Sequence, residues 1–183
     1  SSLNIRSSIY DVTNRCNLKC KMCGVCEHDH ARAIARELTT EEWKSVIDAG
    51  HRLGTTLVSI TGGEPMLRRD LLELISHARS RDMAVHMCSN GLLIDEEAAR
   101  NLEKAGVGTV SISIESPHKE HHEALRGKGS FDPAVQAVRN LRQFAPNVRV
   151  GVNNLITTTN YRDIAAMIPF AESLDAHQLK SAP

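Results

Sequence analysis

Apolar residues along this chain alternate between two spacings: short runs of period two, and longer stretches with apolar positions three and four apart. Ile5 to Thr13, with Ile9, Tyr10 and Val12, forms the first strand-like run. Thr39-Thr-Glu-Glu42 has the form of a capping box and opens a helix to about Leu53, with Trp43, Val46, Ile47, Gly50 and Leu53 on one side. Leu57 to Thr61 is a second strand, and Arg69 to Arg81 a helix that turns Leu71, Leu72, Leu74, Ile75 and Ala78 inward. Met83 to Cys88 is a third strand, followed by a helix capped at Asp95, carrying Ala98, Ala99 and Leu102, and stopped at Gly106.

The alternation continues through a fourth strand, Val107 to Glu115. Asp132-Pro133 supplies a cap and first-turn pair for a helix through Phe144. Val148, Val150 and Val152 mark a fifth strand ending at Asn153-Asn154. Asn160 is expected to cap the next helix, which Pro169 must kink or split for want of an amide donor, and Ala176 to Leu179 is the sixth strand. Strands and helices in strict alternation predict an α/β fold built from parallel crossover units.

Composition narrows the class. The 183 residues suffice for one substantial core and are too few for two comfortable domains. Lysine plus arginine and aspartate plus glutamate number 22 each, so bulk electrostatic binding of nucleic acid has no support. The sequence has no apolar run of bilayer length and no signal-peptide core at its start, which predicts an intracellular, cytoplasmic protein without a membrane partner. Five cysteines, three of them tightly clustered, argue against a disulfide framework and fit a reducing compartment.

That cluster is Cys16-Asn-Leu-Lys-Cys20-Lys-Met-Cys23, in a loop that follows the first strand and continues to about Leu38. Soft thiolates in this number hold zinc or an iron-sulfur cluster, and three of them leave a fourth coordination position open. Cys26, His28 and His30 follow closely, so spacing alone leaves a zinc site as the alternative. The remaining candidate chemistry gathers at strand ends: Gly62-Gly63-Glu64-Pro65 after the second, Ser89-Asn90-Gly91 after the third, Ser113-Ile-Glu115 after the fourth and Asn153 at the fifth. His122-Glu-Ala-Leu-Arg126-Gly127 follows the fourth. One edge of a parallel sheet is where α/β folds place their sites.

The order of these motifs resembles the radical S-adenosylmethionine enzymes over nearly the whole chain. The resemblance implies an incomplete six-stranded parallel (β/α)6 barrel, with Cys16, Cys20 and Cys23 on three irons of a 4Fe-4S cluster and S-adenosylmethionine on the fourth. It implies that Gly62, Gly63 and Glu64 receive the methionine amino group, with Pro65 setting the chain direction. Ser113 and Glu115 are implied to meet the ribose or methionine portion, Arg126 the methionine carboxylate, and Ser89, Asn90 and Asn153 the cofactor or substrate. Two departures stand out: Met22 where an aromatic residue is common, and Glu115 where aspartate is common.

The implied activity is reductive cleavage of S-adenosylmethionine to methionine and a 5′-deoxyadenosyl radical that takes hydrogen from a substrate. An electron donor such as flavodoxin or ferredoxin is the expected partner, and a peptide, cofactor precursor or sugar the expected substrate. The chain resembles the core of the subgroup that often carries an auxiliary-cluster (SPASM or twitch) extension, so residues 1–183 are expected to be the amino-terminal part of a longer protein. The other classes weighed are an electron-transfer module with Cys26 as fourth ligand and a zinc-stabilised binding domain.

Overall fold

The computed structural model describes residues 5–24 and 37–182. Cys26, His28 and His30 lie outside the described residues. Six strands form one sheet in the order β1 (Ser7–Thr13), β2 (Leu57–Gly62), β3 (Ala84–Ser89), β4 (Thr109–Ser113), β5 (Arg149–Leu155) and β6 (Gln178–Ala182). Every neighbouring pair is parallel, and β1 and β6 are the two ends of the row, as in an incomplete (β/α)6 barrel. Helices α1 (Thr40–Arg52), α2 (Leu71–Arg79), α3 (Glu96–Ala105), α4 (Lys119–Arg126), α5 (Phe131–Phe144) and α6 (Ile164–Ser173) supply the crossovers. No described helix is long and apolar enough to cross a membrane.

Alternation along the strands divides the sheet into two faces. Val58, Ile60, Val85, Met87, Val110, Ile112, Val150 and Val152 are buried, and with Ile47, Leu74, Ile75, Leu102, Val138, Leu141 and Met167 of the helices they form the core. Each such side chain contributes ~1.5–3 kcal/mol of burial. The intervening positions, among them Ser59, Thr61, His86, Cys88, Ser111, Ser113, Asn153 and Lys180, occupy the opposite, concave face. A parallel sheet normally has both faces covered by helices and both apolar. A polar second face is therefore surface kept for a ligand or for other chain.

Local signals set most boundaries. Thr39 and Glu42 make both bonds of the capping box: the Glu42 amide donates to Thr39 Oγ1 at 3.3 Å and the Thr39 amide to Glu42 Oε2 at 2.7 Å. Asp95 accepts from the Ala98 amide at 2.8 Å, and Gly106 closes α3 with φ at 92°. α2 begins two residues later than expected, at Leu71; Asp70 before it does not cap the helix but accepts from Thr40 Oγ1 at 2.7 Å and pairs with Arg68.

Three expectations differ. Asp132 does not cap α5; the helix begins at Phe131, and Asp132 pairs instead with Lys119 of α4. Asn160 does not cap a helix either. Its amide nitrogen donates to the Glu115 and Leu155 carbonyls at 2.6 and 2.8 Å, which ties the ends of β4 and β5 together, and a single turn at Tyr161–Asp163 precedes α6. β6 lies two residues beyond its expected start, at Gln178, while Pro169 stands inside α6, so that of the two outcomes expected there splitting is excluded. Helix α4 has no strand-like or capping signal of its own, yet His122 and Leu125, three apart, give it a buried side.

Candidate active site

The carboxyl ends of β1 to β5 surround an open cavity. Cys16, Cys20, Cys23, Leu18 and Met22 contribute from the loop after β1, Thr61, Gly62 and Gly63 from β2, and Cys88, Ser89 and Asn90 from β3. Ser113 and Glu115 from β4, Arg126 from α4 and Leu155 from β5 complete it. The three clustered cysteines and seven of the ten other candidate residues thus meet in one place.

The cysteine loop is held at several points. The Lys21 amide donates to the Leu125 carbonyl at 2.9 Å, and the Cys23 amide to the Cys20 carbonyl at 3.1 Å. At the loop's far end Arg15 grips Glu37 through two bonds of 3.0 and 3.1 Å, while buried Arg68 donates to the Val12 and Leu38 carbonyls, each at 2.9 Å. Cys16 is buried, and Asn90 Nδ2 lies 4.0 Å from its sulfur while donating to Asn17 Oδ1 at 2.7 Å. Arg126 Nη1 lies 4.0 Å from Cys20 Sγ. Burial pushes the Cys20 thiol up, against the pull of the Arg126 cation. Hydrogen bonds and charges at such sulfurs set the potential of any cluster they hold.

Gly62 and Gly63 serve first to bring two strand ends together. A Cβ on Gly62 would stand 2.2 Å from the Thr13 carbonyl oxygen, and one on Gly63 2.1 Å from that of Arg15. The space they leave is filled by β1 rather than by a ligand. The Gly63 and Glu64 amides donate to the same two carbonyls, each at 2.7 Å. With those donors consumed, the turn has carbonyl acceptors to offer, which suit an ammonium group and not an anion.

Glu64 is wholly buried and does not line the cavity. Its carboxylate accepts from the Asn90 amide at 2.7 Å, Ser89 Oγ at 2.8 Å and the Met66 amide at 3.1 Å, which joins the ends of β2 and β3. Burial pushes this carboxyl up, and the three donors act against that rise. Pro65 is also buried and opens the turn Pro65–Leu67 behind the cavity wall. Asn153 sits on the concave face two residues before Leu155 and donates to Cys88 Sγ at 3.8 Å.

Glu115 and Arg126 pair with each other. Arg126 Nε donates to Glu115 Oε1 at 2.6 Å, and Glu115 Oε2 accepts from the Leu155 amide, also at 2.6 Å. Buried His122 supports the pair from beneath: its Nδ1 accepts from the Glu115 amide at 3.1 Å. Burial, with Arg126 nearby, lowers its pKa to about 4. Sequence reasoning treated Glu115 and Arg126 as separate ligand contacts and missed both their pairing and Leu155, which shares a strand face with Asn153 at a spacing of two.

The radical SAM superfamily pattern matches residues 10–171. The chain belongs to the radical SAM superfamily. It is 36% identical over 165 residues to the Fe-coproporphyrin III synthase of Methanosarcina barkeri, covering 90% of this chain and 40% of that protein. It is 30% identical over 173 residues to the PqqA peptide cyclase of Granulibacter bethesdensis, covering 94% and 45%. Streptococcus suis SuiB bound to S-adenosylmethionine shares the fold with a TM-score of 0.82 at 19% identity, over 98% of this chain and 40% of SuiB. The chain thus spans less than half the length of these relatives.

The residues present fit the superfamily's two groups. Cys16, Cys20 and Cys23 line one cavity, and three soft thiolates suit three irons of a cluster. The rest of the wall offers carbonyls from the Gly62-Gly63 turn, hydroxyls from Ser89 and Ser113, and the Glu115–Arg126 pair. That set complements a molecule carrying an ammonium, a carboxylate and sugar hydroxyls.

Proposed function

We propose that the protein binds a 4Fe-4S cluster through Cys16, Cys20 and Cys23 and reductively cleaves S-adenosylmethionine to drive hydrogen abstraction from a peptide or cofactor precursor. The observation that carries this reading is the meeting of the three thiols with the polar ends of β2, β3 and β4 in one cavity. Bound there, cluster and S-adenosylmethionine would take up one electron and split a carbon-sulfur bond, giving methionine and a 5′-deoxyadenosyl radical that removes a substrate hydrogen.

The chain's own residues orient and enclose. Glu64 holds Ser89 and Asn90 at the cavity edge by accepting a hydrogen bond from each, and Asn90 reaches Cys16 and Asn17 from that position. Arg126 carries a positive charge to Cys20 while Glu115 fixes its fork. The carbonyl-bearing Gly62-Gly63 turn takes the ammonium, and Ser113 and Glu115 take hydroxyls. A flavodoxin or ferredoxin is the proposed electron donor.

The substrate class follows two relatives, a synthase of an iron coproporphyrin and a cyclase of a peptide. Relatives more than twice as long support a longer parent protein whose further segments choose the substrate, an auxiliary-cluster extension among them. The test is chromatography of 5′-deoxyadenosine after anaerobic cluster reconstitution and reduction. The wild-type protein is expected to release it and Cys16→Ala to release none; a wild-type protein that holds the cluster and cleaves nothing, even with substrate and donor present, contradicts the proposal.

A further inference from the structure

The concave face carries polar side chains that the cluster and S-adenosylmethionine do not account for. Strand register sets Ser59 beside His86, Cys88 beside Ser111, and Ser113 beside Asn153 and Lys180. His86 Nε2 meets Ser111 Oγ at 2.9 Å and Nδ1 meets Ser59 Oγ at 3.3 Å, so three strands are bridged into a closed floor. Gly151 extends it: a Cβ there would stand 2.8 Å from Gln178 Cγ and 3.0 Å from Ser111 Oγ, so the glutamine lies flat across the bare backbone. The floor is built and its own polar groups are occupied.

One level above it two groups are not occupied. Asn153 Nδ2 donates to Cys88 Sγ, but Asn153 Oδ1 is buried and has no hydrogen-bond partner. A buried acceptor without a donor is costly, and a native structure keeps one where something else supplies the donor. Lys180, next to Asn153 in register, is exposed and makes no ion pair or hydrogen bond among the described residues. Its charge reaches this face: burial lowers His86 and Lys180 adds to that, while burial raises Cys88 and Lys180 opposes the rise. The two nearby carboxylates are spoken for: Glu115 by Arg126, Glu64 by three donors.

We propose that Lys180 and Asn153 form a substrate-anchoring subsite for a carboxylate, the ammonium taking the anion and Asn153 Oδ1 taking an adjacent N–H or O–H of the same molecule. One cation and one neutral amide match a single negative charge; a phosphate would call for more. This rests on the proposed function, in which a peptide or cofactor precursor meets the 5′-deoxyadenosyl group at the cavity. Leu155, two residues along the same strand face, lines the cofactor cavity, so a substrate anchored at Asn153 extends directly towards it. The carboxylate can come from a porphyrin propionate or from a glutamate or carboxyl terminus of a peptide.

The experiment measures affinity on the cluster-loaded protein with four probes: a propionate-bearing porphyrin, its methyl ester, a glutamate-containing peptide and its glutamine counterpart. At least one acid is expected to bind about tenfold more tightly than its neutral partner. Lys180→Met is expected to erase that difference and Lys180→Arg to keep it, while Asn153→Ala weakens acid and neutral probes alike. Which pair discriminates identifies the source of the carboxylate. Thermal midpoints and cluster content control for folding. Equal binding of acid and neutral probes, no binding of either acid, or an undiminished preference in Lys180→Met overturns the subsite. Binding is scored without turnover, so failure of S-adenosylmethionine cleavage would remove the proposed function and leave this result standing.

Discussion

At the scale of single residues, the site is held by side chains that face one another more than they face a ligand. Glu64 illustrates this: it accepts three hydrogen bonds and touches no open space. Glu64→Gln replaces one acceptor oxygen by a donor opposite other donors and is expected to cost ~2–3 kcal/mol in denaturant unfolding. His122 has its proton-accepting Nδ1 committed to the Glu115 amide. Its pKa falls from 6.5 in the unfolded chain to about 4 in the fold, so between those values the unfolded chain binds the proton and the fold does not. Stability is therefore present above pH 6.5 and lost as pH falls towards about 4, by up to ~3 kcal/mol; urea midpoints across that range are expected to show it, and His122→Gln to flatten it. Arg126→Met removes a cation near Cys20 and is expected to lower the cluster's reduction potential, measured by redox titration.

At the scale of elements, the sequence displays what is local. The capping box at Thr39, the cap at Asp95 and the left-handed stop at Gly106 are each written within a few residues, and each stands in the structure. Asp95→Ala is expected to cost ~1 kcal/mol in thermal or denaturant unfolding without affecting cofactor cleavage, because α3 contributes nothing to the cavity. What misled was competition from distant partners. Asp132 is a good cap by composition, but Lys119 lies across from it; Asn160 is likewise drawn to the carbonyls of Glu115 and Leu155. No local pattern reports a partner 45 residues away. Helix α4 was missed for a related reason, since only two side chains mark its buried side.

For the molecule as a whole, the strand-end placement of the motifs makes the cavity legible in the sequence. A parallel order puts every strand's carboxyl end on one edge, so Cys16, Gly62, Ser89 and Ser113 had to converge. The sequence could not say which would face the ligand and which would brace the wall: Glu64 is wholly buried behind the cavity, and Ser113 lines it. The two glycines show the same limit: their bare backbone answers to β1, across a gap of some fifty residues, and Gly63→Ala is expected to lower the thermal midpoint as well as cleavage. The account stands on one iron left without a protein ligand and open to S-adenosylmethionine. Electron paramagnetic resonance of the reduced, anaerobically prepared protein, recorded before and after that cofactor is added, reads this directly. The spectrum of a four-iron cluster is expected to shift on addition; a spectrum that does not change, or a protein that carries only stoichiometric zinc, would contradict it.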